Sequence, residues 1–221
     1  MNEFTLGTCV GMVQTVIGHP LDTLKTNYQN NQKLKLNKNA VGTLFRGMTY
    51  PLFSTTIING FLFYSNDSFK QFHKNSFVSG FMTGIICSPM INIFETCKVK
   101  RQLNEKIGIN LIKYSKLGFT ATLMRESFGA SLYFGTYDYL KDKKYNSFIS
   151  GSSAGVISWL LTYPFDVIKT RLQSGLDKNW KQAVMRGGLT NGLKICLLRS
   201  FVVNGFSFMV YDYIKHQNML D

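Results

Sequence analysis

The chain has 221 residues, 17% of them charged, and a net charge of +13, whereas soluble globular domains carry roughly 25% charged residues. The bases lie mainly between long uncharged runs, which argues against nucleic acid as a partner and for contact with anionic lipid head groups and anionic solutes. Cys9, Cys87, Cys97 and Cys196 contain no CxxC pair, so neither a zinc site nor a redox motif is supported, and they read as small packing residues.

The first uncharged run is Phe4–Leu21, followed by Gly47–Asn66, Asn75–Phe94 and Tyr145–Phe165. Each is about long enough to cross the hydrocarbon core of a bilayer, which takes roughly 20 residues. They are rich in Gly, Ser and Thr, which suits helices packed on one another and on a polar interior. The first helix is expected over Phe4–Gln29, and a polar Lys-rich loop over Asn30–Asn39. Phe45-Arg46-Gly47 opens a second long segment to about Phe72. A third helix is expected over Asn75–Gln102, a fourth from Leu117 to Lys141, a fifth through Gly151–Gln173 and a last over Leu189–Gln217, after a short link with Arg186-Gly187. The N-terminus shows no basic region followed by a small-residue cleavage site, so targeting information is expected to be internal.

One skeleton recurs three times. It runs Gly7, Gly11, Pro20, Asp22, Lys25, Gln29 in the first copy. The second is Gly80, Gly84, Glu95, Lys98, Gln102, and the third Gly151, Gly155, Pro164, Asp166, Lys169, Gln173. In each copy the second glycine, acid, base and glutamine keep one spacing. The even-numbered helices carry their own recurring pairs, Asp67/Lys70, Asp138/Lys141 and Asp212/Lys215. A fixed period of this kind marks tandem structural repeats, with boundaries at 1–72, 73–144 and 145–221. The fold expected is an all-α membrane protein with six transmembrane helices. They form three tandem two-helix repeats with pseudo-three-fold symmetry around a central cavity.

An acid and a base three residues apart can pair on one helix for only about 0.2–0.5 kcal/mol. In a three-fold bundle the acid of one repeat can instead reach the base of the next, closing a ring at each mouth. If only one ring forms at a time, the device is an alternating-access carrier. Desolvation offsets much of each ion pair, so such rings can close and still open. Pro20 and Pro164 are expected to kink the odd helices, while Pro89 is displaced and Ile93 stands in the matching place.

Pro20-Leu21-Asp22-Thr23-Leu24-Lys25 and Pro164-Phe165-Asp166-Val167-Ile168-Lys169 resemble the signature of the mitochondrial carrier family, and the resemblance covers nearly the whole chain. The second copy keeps Glu95 and Lys98 but lacks the proline. Tyr137-Asp138-Tyr139-Leu140-Lys141 and Tyr211-Asp212-Tyr213-Ile214-Lys215 resemble the family's opposite-side motif, with Asn66 in the aromatic's place in the first copy. The resemblance implies a matrix gate of Asp22, Lys25, Glu95, Lys98, Asp166 and Lys169, braced by Gln29, Gln102 and Gln173. It implies a cytoplasmic gate of Asp67, Lys70, Tyr137, Asp138, Lys141, Tyr211, Asp212 and Lys215. It also implies a multi-pass monomer in the mitochondrial inner membrane. No cofactor is expected; Phe45-Arg46-Gly47 and Arg186-Gly187 are what remain of the family's lipid sites, where cardiolipin is the bound lipid to look for.

Few charges lie inside the membrane segments: Arg125, Glu126 and Arg199. A charge at that depth costs at least about 2.5–3.5 kcal/mol and normally faces a cavity; the competing reading is a mutual structural pair. Arg125 precedes Asp138 by the same interval as Arg199 precedes Asp212 and Ser54 precedes Asp67. These three positions therefore share one level, and the resemblance makes them substrate contacts: Ser54 with Thr55 and Thr56, Arg125 with Glu126, and Arg199. Arginine can fork a carboxylate or phosphate, and Glu126 can hold an ammonium group. The Arg-Glu pair resembles carriers of amino acids and carnitine, whereas the basic cavity edge would suit a nucleotide or deoxynucleotide. Gln14, Asn59 and Asn204 read either as polar packing or as readers of a base or amide. The chain is expected to exchange a small-molecule solute, with an uncoupled uniporter or leak channel as the alternative. No nucleophile–base pair, metal cluster or phosphate loop supports an enzyme or a catalytic residue.

Overall fold

The computed structural model describes residues 2–29, 45, 48–102 and 116–217, with side chains at 2–21, 45, 48–49, 51–97 and 116–217. The described chain is helical: α1 (Glu3–Gln29), α2 (Thr49–Phe72), α3 (Ser76–Gln102), α4 (Phe119–Asp142), α5 (Ser147–Gln173), a short α6 (Trp180–Met185) and α7 (Leu193–Gln217). No strand occurs among the described residues. Arg46, Gly47 and the loop over 30–39 lie outside them.

Four helix starts differ from the expected ones by more than one residue, each for a local reason. Phe45 belongs to a turn, its carbonyl accepting from the Met48 amide at 3.2 Å, so α2 opens at Thr49. Gly118 takes φ 66°, a left-handed conformation that glycine adopts freely, and α4 begins one residue later. Gly188 and Gly192, with φ 63° and 86°, delay α7 to Leu193. α5 begins before Gly151 because Asn146 caps it, its side chain accepting from the Ile149 amide at 2.8 Å.

The sequence reading shows only a link where α6 forms. Asn179 caps α6 through the Gln182 amide at 3.0 Å, and the Gln182 side chain returns to the Lys178 amide at 3.0 Å. Pro20, Pro89 and Pro164 all lie inside helices that continue past them. A proline leaves the carbonyl four residues earlier without its donor; at Pro89 the orphan is Ile85, whose carbonyl takes the Ser88 hydroxyl at 2.9 Å.

α1 packs along α2, α3 along α4 and α5 along α7; α2 meets α3, α4 meets α5, and α7 returns to α1. The recurring glycines sit at these crossings. A Cβ on Gly7 would lie 2.5 Å from the Asn59 carbonyl oxygen, one on Gly80 2.5 Å from that of Ala130, and one on Gly151 2.7 Å from that of Asn204. Backbones approach this closely only over a small residue. Serines tie the helices further: Ser131 Oγ donates to the Phe77 carbonyl at 2.8 Å, Ser158 to Gly129 at 2.9 Å and Ser152 to Phe201 at 2.8 Å.

The polarity of the bundle is inverted relative to a water-soluble domain. Ser79, Thr83, Ser88, Asn92, Ser150 and Ser152 are fully buried, while Phe53, Ile86, Leu161 and Leu198 are well over half exposed. A large apolar exterior of this kind suits a lipid surround. By length and composition α7 and the Ser76–Cys97 part of α3 qualify as membrane-crossing helices among the described residues. The other long helices carry enough Gly, Ser, Thr and Asn to dilute their hydropathy.

Candidate functional site

The charged and polar side chains inside the bundle form three tiers. At the end bearing the C-terminal part of α5, Lys169 is buried, 3% exposed. Its Nζ donates to Glu95 Oε2 on α3 at 2.6 Å and lies 3.5 Å from Asp166 on its own helix. Gln173, one turn further along α5, donates through Nε2 to Asn92 Oδ1 at 3.0 Å, and Asn92 also accepts from Thr122 Oγ1 at 2.8 Å. The base of the third copy therefore meets the acid of the second, while Gln173 serves an asparagine. The side chains of Asp22, Lys25, Gln29, Lys98 and Gln102 lie outside the described residues.

The middle tier centres on α4. Arg125 pairs with Glu126, which is 5% exposed. Arg125 Nε also lies 3.8 Å from Asp166 Oδ1, and its guanidinium sits 4.7 Å from the centre of the Trp159 ring. Lys169 Nζ closes the set at 3.8 Å from Glu126. Arg125 and Glu126, expected to bind solute, and Glu95, Asp166 and Lys169, expected to gate, thus lie in one charge cluster across α3, α4 and α5. Isolated charges cannot be held in such a place; mutual pairing offsets their desolvation.

The other expected contacts are dispersed. Arg199, on α7, lies against α1, where a Cβ on Gly18 would come within 2.9 Å of its guanidinium. Thr55 bonds the Pro51 carbonyl at 2.7 Å and the Thr15 hydroxyl, which commits it to the α1–α2 contact. Ser54 Oγ donates to the Pro51 carbonyl at 3.3 Å. Next to this tier, Asn59 Nδ2 donates to Gln14 Oε1 at 3.1 Å, and Tyr133 OH to Asn204 Oδ1 at 3.2 Å. The two pairs are joined by Gln14 Nε2, 3.5 Å from both Tyr133 OH and Asn204 Oδ1.

At the opposite end Lys70 pairs with Asp138, and Lys141 Nζ lies 2.7 Å from Asp212 Oδ2. Asp212 also accepts from the Tyr137 and Ser147 hydroxyls. Lys215 pairs at 2.8 Å with Glu3, in the first turn of α1. A pocket opens here, and Asn66, Asp67, Asp138 and Tyr211 are among its lining residues. Pairs between helices are thus present at both ends of the bundle at once.

Sequence reasoning missed Glu3, Asn92, Trp159 and Tyr133. Glu3 carried one available signal, a lone acid heading an uncharged run. Arg186 lies at the edge of the bundle and binds Asp177, with Nε at 3.1 and 3.2 Å from its oxygens and a terminal nitrogen at 2.7 Å. That hydrogen-bonded carboxylate raises the guanidinium pKa above its ordinary value.

The profile of the family described as Mitochondrial carrier protein matches residues 1–77 and 142–219, more than half of the chain. The mitochondrial arginine transporter BAC2 of Arabidopsis thaliana is 29% identical over 95% of this chain and 89% of its own length. The mitochondrial basic amino acids transporter of Rattus norvegicus is 27% identical over 96% of this chain and 90% of its own. The mitochondrial ornithine transporter 1 of Schizosaccharomyces pombe is 24% identical over 99% and 93%.

Proposed function

The chain belongs to the mitochondrial carrier family, and from that premise we propose that it exchanges amino acids with a cationic side chain across the mitochondrial inner membrane. The observation that carries this reading is the buried Arg125–Glu126 pair, which presents a cation and an anion side by side. An α-amino acid offers the complementary set on one carbon. Its carboxylate fits the guanidinium fork of Arg125, and its ammonium group fits Glu126. Relatives named for arginine, basic amino acids and ornithine support the same class.

On this reading the six long helices span the membrane as three repeats, 1–72, 73–144 and 145–221. The Glu95–Lys169 pair belongs to a gate on the matrix side, with Asp22, Lys25, Lys98 and Asp166. Lys70–Asp138 and Lys141–Asp212 belong to a gate on the cytosolic side. Arg199 and Ser54 supply the remaining solute contacts from α7 and α2. Arg125 and Glu126 satisfy each other as an ion pair. An arriving amino acid replaces that pair charge for charge and loosens the 3.8 Å links from Arg125 to Asp166 and from Glu126 to Lys169. Binding energy is thereby spent on parting the matrix gate, the differential interaction that a coupled transition needs.

Glu126→Gln tests this directly. A hydrogen bond to a charged group contributes about 1.5–3 kcal/mol, so losing the acid that holds the solute's ammonium group should lower uptake of labelled arginine into liposomes by at least about tenfold. The unfolding temperature in detergent checks that the variant folds. Wild-type uptake by folded Glu126→Gln would remove the basis of the assignment.

A further inference from the structure

The cytosolic gate of the proposed carrier has three bases, Lys70, Lys141 and Lys215, and needs three acids. Asp138 and Asp212 take the first two. By spacing, the third acid should be Asp67, the counterpart of Asp138 and Asp212 in the first repeat. Lys215 instead lies 2.8 Å from Glu3 Oε1, and the Tyr211 hydroxyl donates to Glu3 Oε2 at 3.0 Å. Lys215 Nζ also donates to the Tyr211 hydroxyl at 3.0 Å, so acid, base and phenol close a triangle. Glu3 is engaged through both oxygens. Among the described residues Asp67 forms no ion pair, although it lines the same pocket as Lys70, Lys215 and Glu3.

We propose that Glu3 is the third acid of this gate, latching the head of α1 to the end of α7, and that Asp67 is an unlatched acid in the same mouth. The assignment rests on the carrier reading above. It has a mechanical consequence. A ring made only from α2, α4 and α7 would join the even helices to one another. The Glu3–Lys215 leg ties an odd helix into the closure, so opening this mouth requires α1 to part from α7 at its first turn. The Tyr211 hydroxyl, held by both charges, fixes the geometry of the latch as Tyr137 does at Asp212.

The test compares Glu3→Gln, Asp67→Asn and Lys215→Gln with the exchanged pair Glu3→Lys/Lys215→Glu in the full-length protein in liposomes. The readouts are exchange of labelled arginine and its leak without a counter-solute. One partly exposed ion pair changes a rate by up to about fivefold, so Glu3→Gln and Lys215→Gln should shift leak or exchange alike by that factor. Asp67→Asn should shift them by less, and the exchanged pair should return toward wild type. The proposal is overturned if Asp67→Asn reproduces Lys215→Gln while Glu3→Gln behaves as wild type; the carrier reading then stands with its spacing-defined acid. It is also overturned, together with the gate, if Lys70→Gln, Lys141→Gln and Lys215→Gln all leave exchange and leak unchanged. Rescue by the charge exchange, with unfolding temperatures alongside, separates a lost latch from a misfolded chain.

Discussion

Lys169 shows how far a single charge can be read from sequence. The recurring interval predicts a base here and an acid at Glu95, and the repeat geometry predicts that they meet; they do, at 2.6 Å. The interval does not predict that Lys169 also lies within 3.8 Å of Glu126, because that contact joins two motifs found by different arguments. Asn92 was not legible for a related reason. Its counterparts in the repeat are His19 and Tyr163, so no pattern recurs there, yet it takes hydrogen bonds from both Thr122 and Gln173. Lys169→Gln removes the buried base that lies within reach of Glu95, Glu126 and Asp166, and losing one member of a buried set costs about 3–5 kcal/mol. A large fall in unfolding temperature is expected, with Glu95→Gln/Lys169→Gln falling less because acid and base leave together. A double variant less stable than Lys169→Gln would show that the pair is not where the stability resides.

Helices were the most legible elements, because uncharged runs and repeated glycines bound them on both sides. What the runs could not show was the local chemistry of the ends: the left-handed glycines before α4 and α7, and the capped six-residue α6, too short for any periodicity. The glycines also divide into two kinds that sequence alone cannot separate. A Cβ on Gly84 would collide with the Glu126 backbone, which cannot rotate away, whereas one on Gly129 would meet Ser158 Oγ at 3.6 Å, an ordinary contact. Gly84→Leu should therefore destabilise by about 1–3 kcal/mol or more and displace Glu126, abolishing exchange. Gly129→Ala should be neutral or stabilising by up to about 1 kcal/mol, since alanine favours helix. Thermal unfolding of both in detergent checks the pair; equal effects would mean that backbone proximity is not what selects glycine at position 84.

At the scale of the molecule, the segregation of charge already indicated a membrane protein, and the buried serines and exposed phenylalanines of the bundle agree with it. Cross-helix pairs coexist at the two ends of the bundle among the described residues, Glu95–Lys169 at one and Lys141–Asp212 at the other. Spacing names which residues can pair, whereas the balance between two closures depends on desolvation and packing that spacing does not encode. On the proposed carrier reading, weakening the pairs at either end should bias the bundle toward opening there. Lys141→Gln should change the exchange rate by up to about fivefold without changing which solutes are accepted, as competition between labelled arginine and unlabelled ornithine would reveal.

Exchange of cationic amino acids is tested by uptake of labelled arginine into liposomes carrying the purified protein. The liposomes are loaded in turn with arginine, ornithine, citrulline, carnitine, ADP or buffer. Rapid uptake with arginine or ornithine inside, little with neutral citrulline, carnitine or ADP, and almost none with buffer is the predicted result. Uptake driven by internal ADP, or equal uptake into buffer-loaded liposomes, would contradict it: the first by placing a nucleotide on Arg125 and Arg199, the second by making the protein a uniporter or leak.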